Sequence, residues 1–546
     1  MSVLGRGRGT ARGGGGMRWQ PMVLRLSLLI VLAAFGVPFA ILVNHIVPEP
    51  YMDEIFHVPQ AQSYCRGDYS SWDPNITTFP GLYYLSVAQA AIILPVMRVL
   101  GIASSLPEMC TVAYLRSVNV ILFLICGLLL YEVLLELDPE KRTMRAFAKA
   151  TILSLYPLHW FFTFLYYTDV GSTAAVMGTY LACLKGAYWL SALLAIVAIF
   201  FRQTNAVWTL VILCIGVLEC LQLRYLPSIP IVEAKQDQVF LTKRSQSSNE
   251  DNVSSTKEKL RKRRHADFEK GKGISLRSLR KQLTSKDLID FSFQGFYKES
   301  LLIAKEAWRK RQLLCWNFCP MLLVVFTFVL FVIYNGGIVV GAKEAHKVSL
   351  HFAQLLYFGG LSALGLFPIH FSPGKVTLLF KYANRFQGRF IAGTIIFAFL
   401  FAFLAVHYSS IAHPYLLADN RHYPFYLWKN VIRAHWSAKY LLIPFYVYSW
   451  CSLLELLGRR HQSSWLLVLC LGTTAVLVPA PLIEFRYYTI PFLMMALHDF
   501  PEEYREKLVW FLIFVQFLLV NFITLYMFLF RPFTWSHEPG VQRFMW

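Results

Sequence analysis

The chain has 546 residues, of which 56% are hydrophobic and only 15% charged, against about a quarter charged in an ordinary soluble domain. With a mean hydropathy of +0.47 and no polar stretch of domain size outside one linker, it is not a soluble globular enzyme. The formal net charge of +20 would suit a nucleic-acid binder. The basic residues instead stand in short stretches between apolar runs, as in the cytosolic loops of multi-spanning membrane proteins; the expected partner is the lipid bilayer, and no nucleic acid.

Residues 1–20, rich in Gly and Arg, read as a disordered cytosolic tail. The first apolar run, 22–43, has no small-residue cleavage site after it and reads as an uncleaved anchor. Arg6, Arg8, Arg12, Arg18 and Arg25 hold its start in the cytosol. Residues 44–80 then fall on the opposite side, as a structured loop punctuated by Pro48, Pro50, Pro59, Pro74 and Pro80. The run 82–101 carries Gln89, Pro95 and Arg98 and fits either a span or an interfacial helix. Spans follow over 115–136, 147–166, 171–186, 188–202 and 206–224. Residues 225–312, with Lys257, Lys259, Arg261, Lys262, Arg263 and Arg264, form a partly disordered cytosolic linker. Further spans are expected over 313–334, 354–369, 389–408, 439–457, 464–482, 489–500 and 507–530. The architecture is therefore all-α and polytopic, with about 13 spans (roughly 12–14) of the length a bilayer requires. An N-terminal module, 21–224, and a C-terminal module, 313–546, flank the linker.

Eight of the ten cysteines lie inside apolar runs and behave as small hydrophobes. Only Cys65 and Cys110 lie outside them; a bridge between the two is open, with free thiols favoured.

Laid on this topology, the polar motifs share the non-cytosolic side. They are Asp53, Glu54 and His57; Asp169 in Tyr166-Tyr-Thr-Asp169; Arg202 and Asn205; Lys343 and His346 after Asn335; Arg421, His422 and Tyr423; and Glu484 with Arg486. Ionisable residues at membrane depth are costly and usually functional. Each cluster also has a plain reading. Asp53 and Glu54 would suit the first turn of a helix, Asp169 and Arg202 an interhelical ion pair, and Glu484 and Arg486 a local one. His346 and His351 are five apart, poor spacing for a zinc pair on a helix. No metal site and no nucleotide-binding signature is present.

An acidic pair directly after the first span resembles the GT-C superfamily of glycosyltransferases. Within it, the chain is similar to the dolichyl-phosphate-glucose-dependent α-1,2-glucosyltransferases. The stretches that carry the resemblance are PYMDEIFHVPQAQSYC (50–65), WDPNITTFPGLY (72–83), FLYYTD (164–169), FRQTN (201–205), NGGIVVG (335–341), LLADNRHY (416–423), EFRYY (484–488) and QRFMW (542–546). The resemblance implies a location in the endoplasmic reticulum membrane with a luminal site. It also implies transfer of glucose from dolichyl-phosphate glucose to a diglucosylated dolichyl-diphosphate oligosaccharide, with inversion and without metal or cofactor. Asp53 is then the expected general base and Glu54 its tuning or acceptor-orienting neighbour. Arg202, Lys343, His346, Arg421, His422 and Arg486 are candidates for the donor phosphate or substrate. His57, Asp169, Asn205, Tyr423 and Glu484 support them, and Trp72, Tyr423 and Trp428 are candidates to stack on sugars. A transporter or channel would explain the spans equally; the one-sided motifs and the lack of a visible inverted repeat count against it. Glucose is separated from mannose only by the family likeness.

Overall fold

In hydrocarbon every backbone N–H and C=O must be satisfied inside its own segment, so long apolar runs fold as helices. The computed structural model describes residues 20–138, 142–222, 293–341, 343, 349–377, 389–498, 506–536 and 540–546. The expected tail over 1–20 and most of the 225–312 linker lie outside the described residues, as does His346.

The first part runs α1 (Gln20–Ile46), α2 (Glu54–Cys65), α3 (Gly81–Val99), α4 (Leu106–Met109), α5 (Val112–Leu137), α6 (Thr143–Ser154), α7 (Pro157–Phe162), α8 (Thr168–Leu184), α9 (Tyr188–Phe201) and α10 (Asn205–Gln222). After the linker come α11 (Phe293–Arg309), α12 (Arg311–Asn335), α13 (Ala353–Gly365), α14 (Phe367–His370) and α15 (Arg389–Tyr408). The chain continues through α16 (Pro414–Ala418), α17 (Tyr423–Leu427), a π turn (Trp428–Ile432), α18 (Ala438–Leu441), α19 (Ile443–Gly458) and α20 (Ser463–Leu477). A 3-10 turn (Phe485–Tyr488), α21 (Thr489–His498) and α22 (Glu506–Phe530) follow. Two-residue strands, Phe533–Thr534 and Val541–Gln542, pair antiparallel beyond α22.

Among the described residues, six helical stretches are long and apolar enough to cross a membrane: Met22–Ile46, Gly81–Val99, Val112–Leu137, Arg311–Asn335, Ala438–Gly458 and Lys507–Phe530. The chain is a multi-pass membrane protein of all-α class. The expected count of about 13 spans is not reached by this criterion. Two expected spans are broken, 147–166 where Pro157 restarts the helix and 354–369 at Leu366, and several others are short.

Residues Met1–Val217 and Trp308–Trp546 form one unit and Leu218–Ala307 another. In the first unit α8 is buried over almost its whole length, against α5 and α9. Small residues let backbones approach: a Cβ on Gly127 of α5 would meet Leu32 of α1 at 2.1 Å. α21 and α22 close on the α6–α7 break, where Tyr156 stacks on Phe492 at 4.0 Å and Asn521 donates to the Leu155 carbonyl at 2.9 Å. That bond satisfies a carbonyl the helix break leaves free. In the second unit, α11 carries Tyr297, Leu301 and Leu302 exposed among Lys298, Glu299 and Lys305, an amphipathic surface.

Cys65, at the end of α2, is bridged to Cys110, just after α4. The bridge corrects the expectation of free thiols: α3 folds back so that Ala90 and Leu94 pack with both cysteines in one apolar cluster. The closed loop spans 45 positions, for which the chain-entropy argument gives about 4 kcal/mol. Cys65→Ser is therefore expected to lower the melting temperature of the purified protein, and the double Cys65→Ser/Cys110→Ser to lower it no further. Additive losses would show that the thiols act separately.

Candidate active site

The loops after α1, α9, α15 and α22 and before α8 and α21 meet at one end of the helices. α1 ends at Ile46, and the chain turns through Pro48 and Pro50 to Met52, the one non-glycine residue with positive φ (56°) among the described residues. Such a backbone costs about 1–3 kcal/mol and persists where the surroundings impose it. Asp53 follows at the N-cap of α2, yet its side chain makes no capping hydrogen bond. The plain reading, a helix cap, does not account for it.

The two adjacent acids have different partners. Glu54 is fully buried and meets Arg116 of α5 in a two-pronged pair, Nε to Oε1 at 2.9 Å and NH2 to Oε2 at 2.6 Å. The backbone N–H groups of Tyr51 and Tyr166 donate to the same carboxylate. Arg116 spends its remaining donors on the Val47 and Glu49 carbonyls and on Asn44. Asp53 remains about 39% exposed and accepts from Arg486 NH1 at 2.9 Å. Its own N–H donates to the Tyr167 hydroxyl at 3.1 Å.

Arg486 is the hub. Its Nε pairs with Glu484, its NH1 lies 4.0 Å from the second oxygen of Asp169, and its guanidinium stands over Tyr167 at 5.5 Å and Tyr487 at 5.9 Å. Arg202 pairs with the first oxygen of Asp169 and stands over the Tyr487 ring at 5.2 Å. Two guanidiniums thus face three carboxylates: Asp53, Asp169 and Glu484. Burial pushes the Asp53 carboxyl up, but Arg486, aided by His57 and His422, outweighs it and holds the group below its ordinary value. Glu484 is held down in the same way, by Arg486 against burial. His57 is shifted down by burial, partly opposed by Asp53, and shares a 2.5 Å hydrogen bond with the Tyr83 hydroxyl.

A second cluster adjoins. Arg421 binds Asp419 through its backbone N–H, Nε and NH2, reaches Gln542 at 2.9 Å, and lies over Trp535 at 4.7 Å. Residues 543–546 line the gap between this loop and the first. Met545 exchanges backbone hydrogen bonds with Arg421 and Tyr423, and the Tyr51 hydroxyl donates to the Arg543 carbonyl and accepts from its N–H. His422 shares a hydrogen bond with the Trp546 carbonyl, whose ring meets Tyr423 edge-on at 5.0 Å.

The structure thus gathers Asp53, His57, Asp169, Arg202, Glu484 and Arg486, with His422 close enough to act on Asp53. It does not bring every expected residue to them. Lys343 is exposed and bonded to Asn335, on a loop fitted to residues 74–77, where Gly341 leaves no room for a side chain against the Pro74 and Ile76 carbonyls. Asn205 binds Ser172 and the Ala198 carbonyl, fastening α10 to α8 and α9. Arg421 pairs with Asp419 and Gln542, in the adjoining cluster. Sequence reasoning passed over Arg116, Tyr167, Asp419 and Tyr487. An arginine at the head of the apolar run 115–136 was the available signal for the first; the others stand inside motifs already noted.

Known proteins resemble the chain over almost its full length. A sequence model described as the DIE2/ALG10 family matches residues 47–497. A protein of Arabidopsis thaliana named Dol-P-Glc:Glc(2)Man(9)GlcNAc(2)-PP-Dol alpha-1,2-glucosyltransferase is 45% identical over 523 residues, 96% of this chain and 100% of its own length. Proteins of the same name from Rattus norvegicus and Yarrowia lipolytica are 34% and 29% identical, over 91% and 96% of this chain and 93% and 99% of their own lengths. No solved structure matches the chain.

Proposed function

Because the chain belongs to the DIE2/ALG10 family, we propose that it transfers glucose from dolichyl-phosphate glucose, in α-1,2 linkage, to the diglucosylated dolichyl-diphosphate oligosaccharide. The observation that carries the mechanism is the accessible Asp53 carboxylate beside the Arg486 guanidinium. Membranes given labelled dolichyl-phosphate glucose and the diglucosylated acceptor lipid should yield the triglucosylated lipid; no product would refute the reading.

The acceptor hydroxyl attacks the anomeric carbon from the face opposite the phosphate. Its C–O bond forms as the sugar–phosphate bond breaks, which inverts a β donor to an α product. Asp53 takes the hydroxyl proton, and dolichyl phosphate leaves with the bonding electrons. Its growing charge falls to Arg486, with Arg202 beside it, since a planar fork suits phosphate. Arg486 serves two anions in turn. Paired with Asp53 it keeps that carboxylate a weak base; drawn onto the donor phosphate, it releases Asp53 as a stronger one. Glu484 and Asp169 hold the two guanidiniums in place. Glu54, saturated by Arg116, positions the loop instead of touching the acceptor.

Removing the fork has two expected signatures. Arg486→Ala should raise the donor KM or lower kcat by at least tenfold, and Arg486→Lys should recover only part, because a point charge replaces the fork. In Arg486→Ala the cation that holds Asp53 down is gone and burial lets its pKa rise. The base then protonates earlier as pH falls, so the acidic limb of the kcat/KM profile moves to higher pH. Equal loss of protein abundance in both variants, with an unmoved limb, would make Arg486 a structural residue.

The site faces the lumen of the endoplasmic reticulum in this reading, with residues 1–20 and 225–312 on the cytosolic side. The basic stretches support that orientation. So does the Cys65–Cys110 bridge at the Asp53 end, since disulfides persist in oxidising compartments.

A further inference from the structure

Beyond His422 and Tyr423 the chain runs through α17 and the π turn into α18, around a cavity of about 460 Å³. Trp428, Arg433, His435, Trp436 and Lys439 line it, and no carboxylate is among its lining residues. Trp428 is 5% exposed, and its indole N–H has no acceptor among the described residues. A buried donor left unpaired is costly, and in a native protein it calls for a partner. Beside three basic side chains, an anion is the partner the surroundings favour. Arg433 is exposed and has no ion pair among the described residues.

Lys439 ends this cavity, and its neighbour Tyr440 begins another. A groove of about 570 Å³ runs between α15 and α19, lined by Ile395, Ile396, Phe399, Leu400, Phe403 and Tyr440. Ile396 is 65% and Leu400 52% exposed, on an apolar helix of a membrane protein. A basic, tryptophan-walled cavity next along the chain to an apolar groove matches one kind of ligand: a lipid whose long apolar chain ends in a phosphate.

We propose that this pair of sites binds the acceptor by its dolichyl diphosphate. The diphosphate sits on Arg433, Lys439 and the Trp428 N–H, and the first isoprene units lie along the α15–α19 groove. The assignment rests on the function proposed above. The donor phosphate must lie within reach of Asp53 at the reacting carbon, where Arg486 stands. The acceptor's diphosphate lies at the opposite end of its glycan from the glucose that reacts, so its site must be a different one. The cavity meets that condition: it flanks the active-site loop, and none of its lining residues is a partner of Asp53 or Arg486. A diphosphate also carries more charge than the donor's phosphodiester, which suits several cations over one. Two anchors, the diphosphate here and the terminal glucose at Asp53, would fix the glycan between them.

The test uses the purified full chain. Arg433→Ala/Lys439→Ala should raise the acceptor KM about tenfold, the order expected for two charge-assisted hydrogen bonds at a partly wet surface. Trp428→Phe, which keeps the ring and loses the donor, should raise it about threefold. The donor KM and kcat should stay within about twofold in both. Dolichyl diphosphate without a glycan should compete with the acceptor and not with the donor. Its inhibition should weaken about tenfold in the double variant, a readout independent of the glycan. A rise in donor KM instead would assign the cavity to the donor phosphate and overturn the proposal. Unchanged constants with no inhibition by dolichyl diphosphate would leave the cavity to ordinary bilayer phospholipid and also overturn it. Failure of the wild type to transfer glucose would refute the function itself; transfer with an unmoved acceptor KM refutes only this site.

Discussion

Asp53→Asn is expected to give a folded, donor-binding protein whose transfer rate is about 10² to 10⁴ lower, or roughly 3–5 kcal/mol in the barrier. A single inverting displacement has no covalent intermediate, so the proton acceptor is the group it can least spare. Asn keeps the size of Asp and can still meet Arg486 through its carbonyl, but it takes no proton at neutral pH. The fold should survive because Asp53 makes no helix-capping bond and is partly exposed. The measurement is turnover on purified enzyme, with donor binding alongside. Near-normal turnover would move the base elsewhere, to Asp169 first, a second carboxylate near Arg486 whose Oδ2 has no hydrogen-bond partner among the described residues.

Glu54→Gln is expected to fail differently. Its carboxylate is 0% and Arg116 1% exposed, and breaking a buried pair by removing one partner typically costs about 3–5 kcal/mol. The loss should appear as reduced abundance and melting temperature, with the surviving folded fraction turning over near the normal rate. Arg116→Met should do the same, and the double variant should cost less than the sum of the two. Glu54→Gln at normal abundance with transfer abolished would return Glu54 to the chemistry.

Helices were readable from the sequence to within a few residues, because an apolar run in a bilayer has few alternatives. α15 spans 389–408 and α5 112–137, against expected runs of 389–408 and 115–136. The breaks were not readable from hydropathy alone. Pro157 and Leu366 sit in runs whose apolar character continues across them, and only the packing of α21 and α22 onto the first break shows why the chain tolerates it. The disulfide was hidden for a similar reason. Cys65 and Cys110 come within 6.6 Å between Cα atoms because α3 doubles back, a tertiary fact. At the site, the motifs pointed to one end of the helices, since each follows or precedes a span of expected direction. Partners were beyond reach. Residue type alone made Arg421 a phosphate candidate as good as Arg486, and only the structure shows that Arg486 is the one that reaches Asp53 while Arg421 pairs with Asp419 and Gln542.

Asp53 and Arg486 are 433 positions apart, and Tyr51 and Arg543 are 492 apart. The ribosome therefore makes the base early and its partner late. The Glu54–Arg116 clasp can form once α5 is in the bilayer, so Asp53 waits on a finished loop. The chain gains Arg486 only just before α21, and the 543–546 segment only after α22. A chain not yet made through residue 486 thus holds Asp53 and Arg202 without the guanidinium that pairs with Asp53, and it is expected to transfer no sugar.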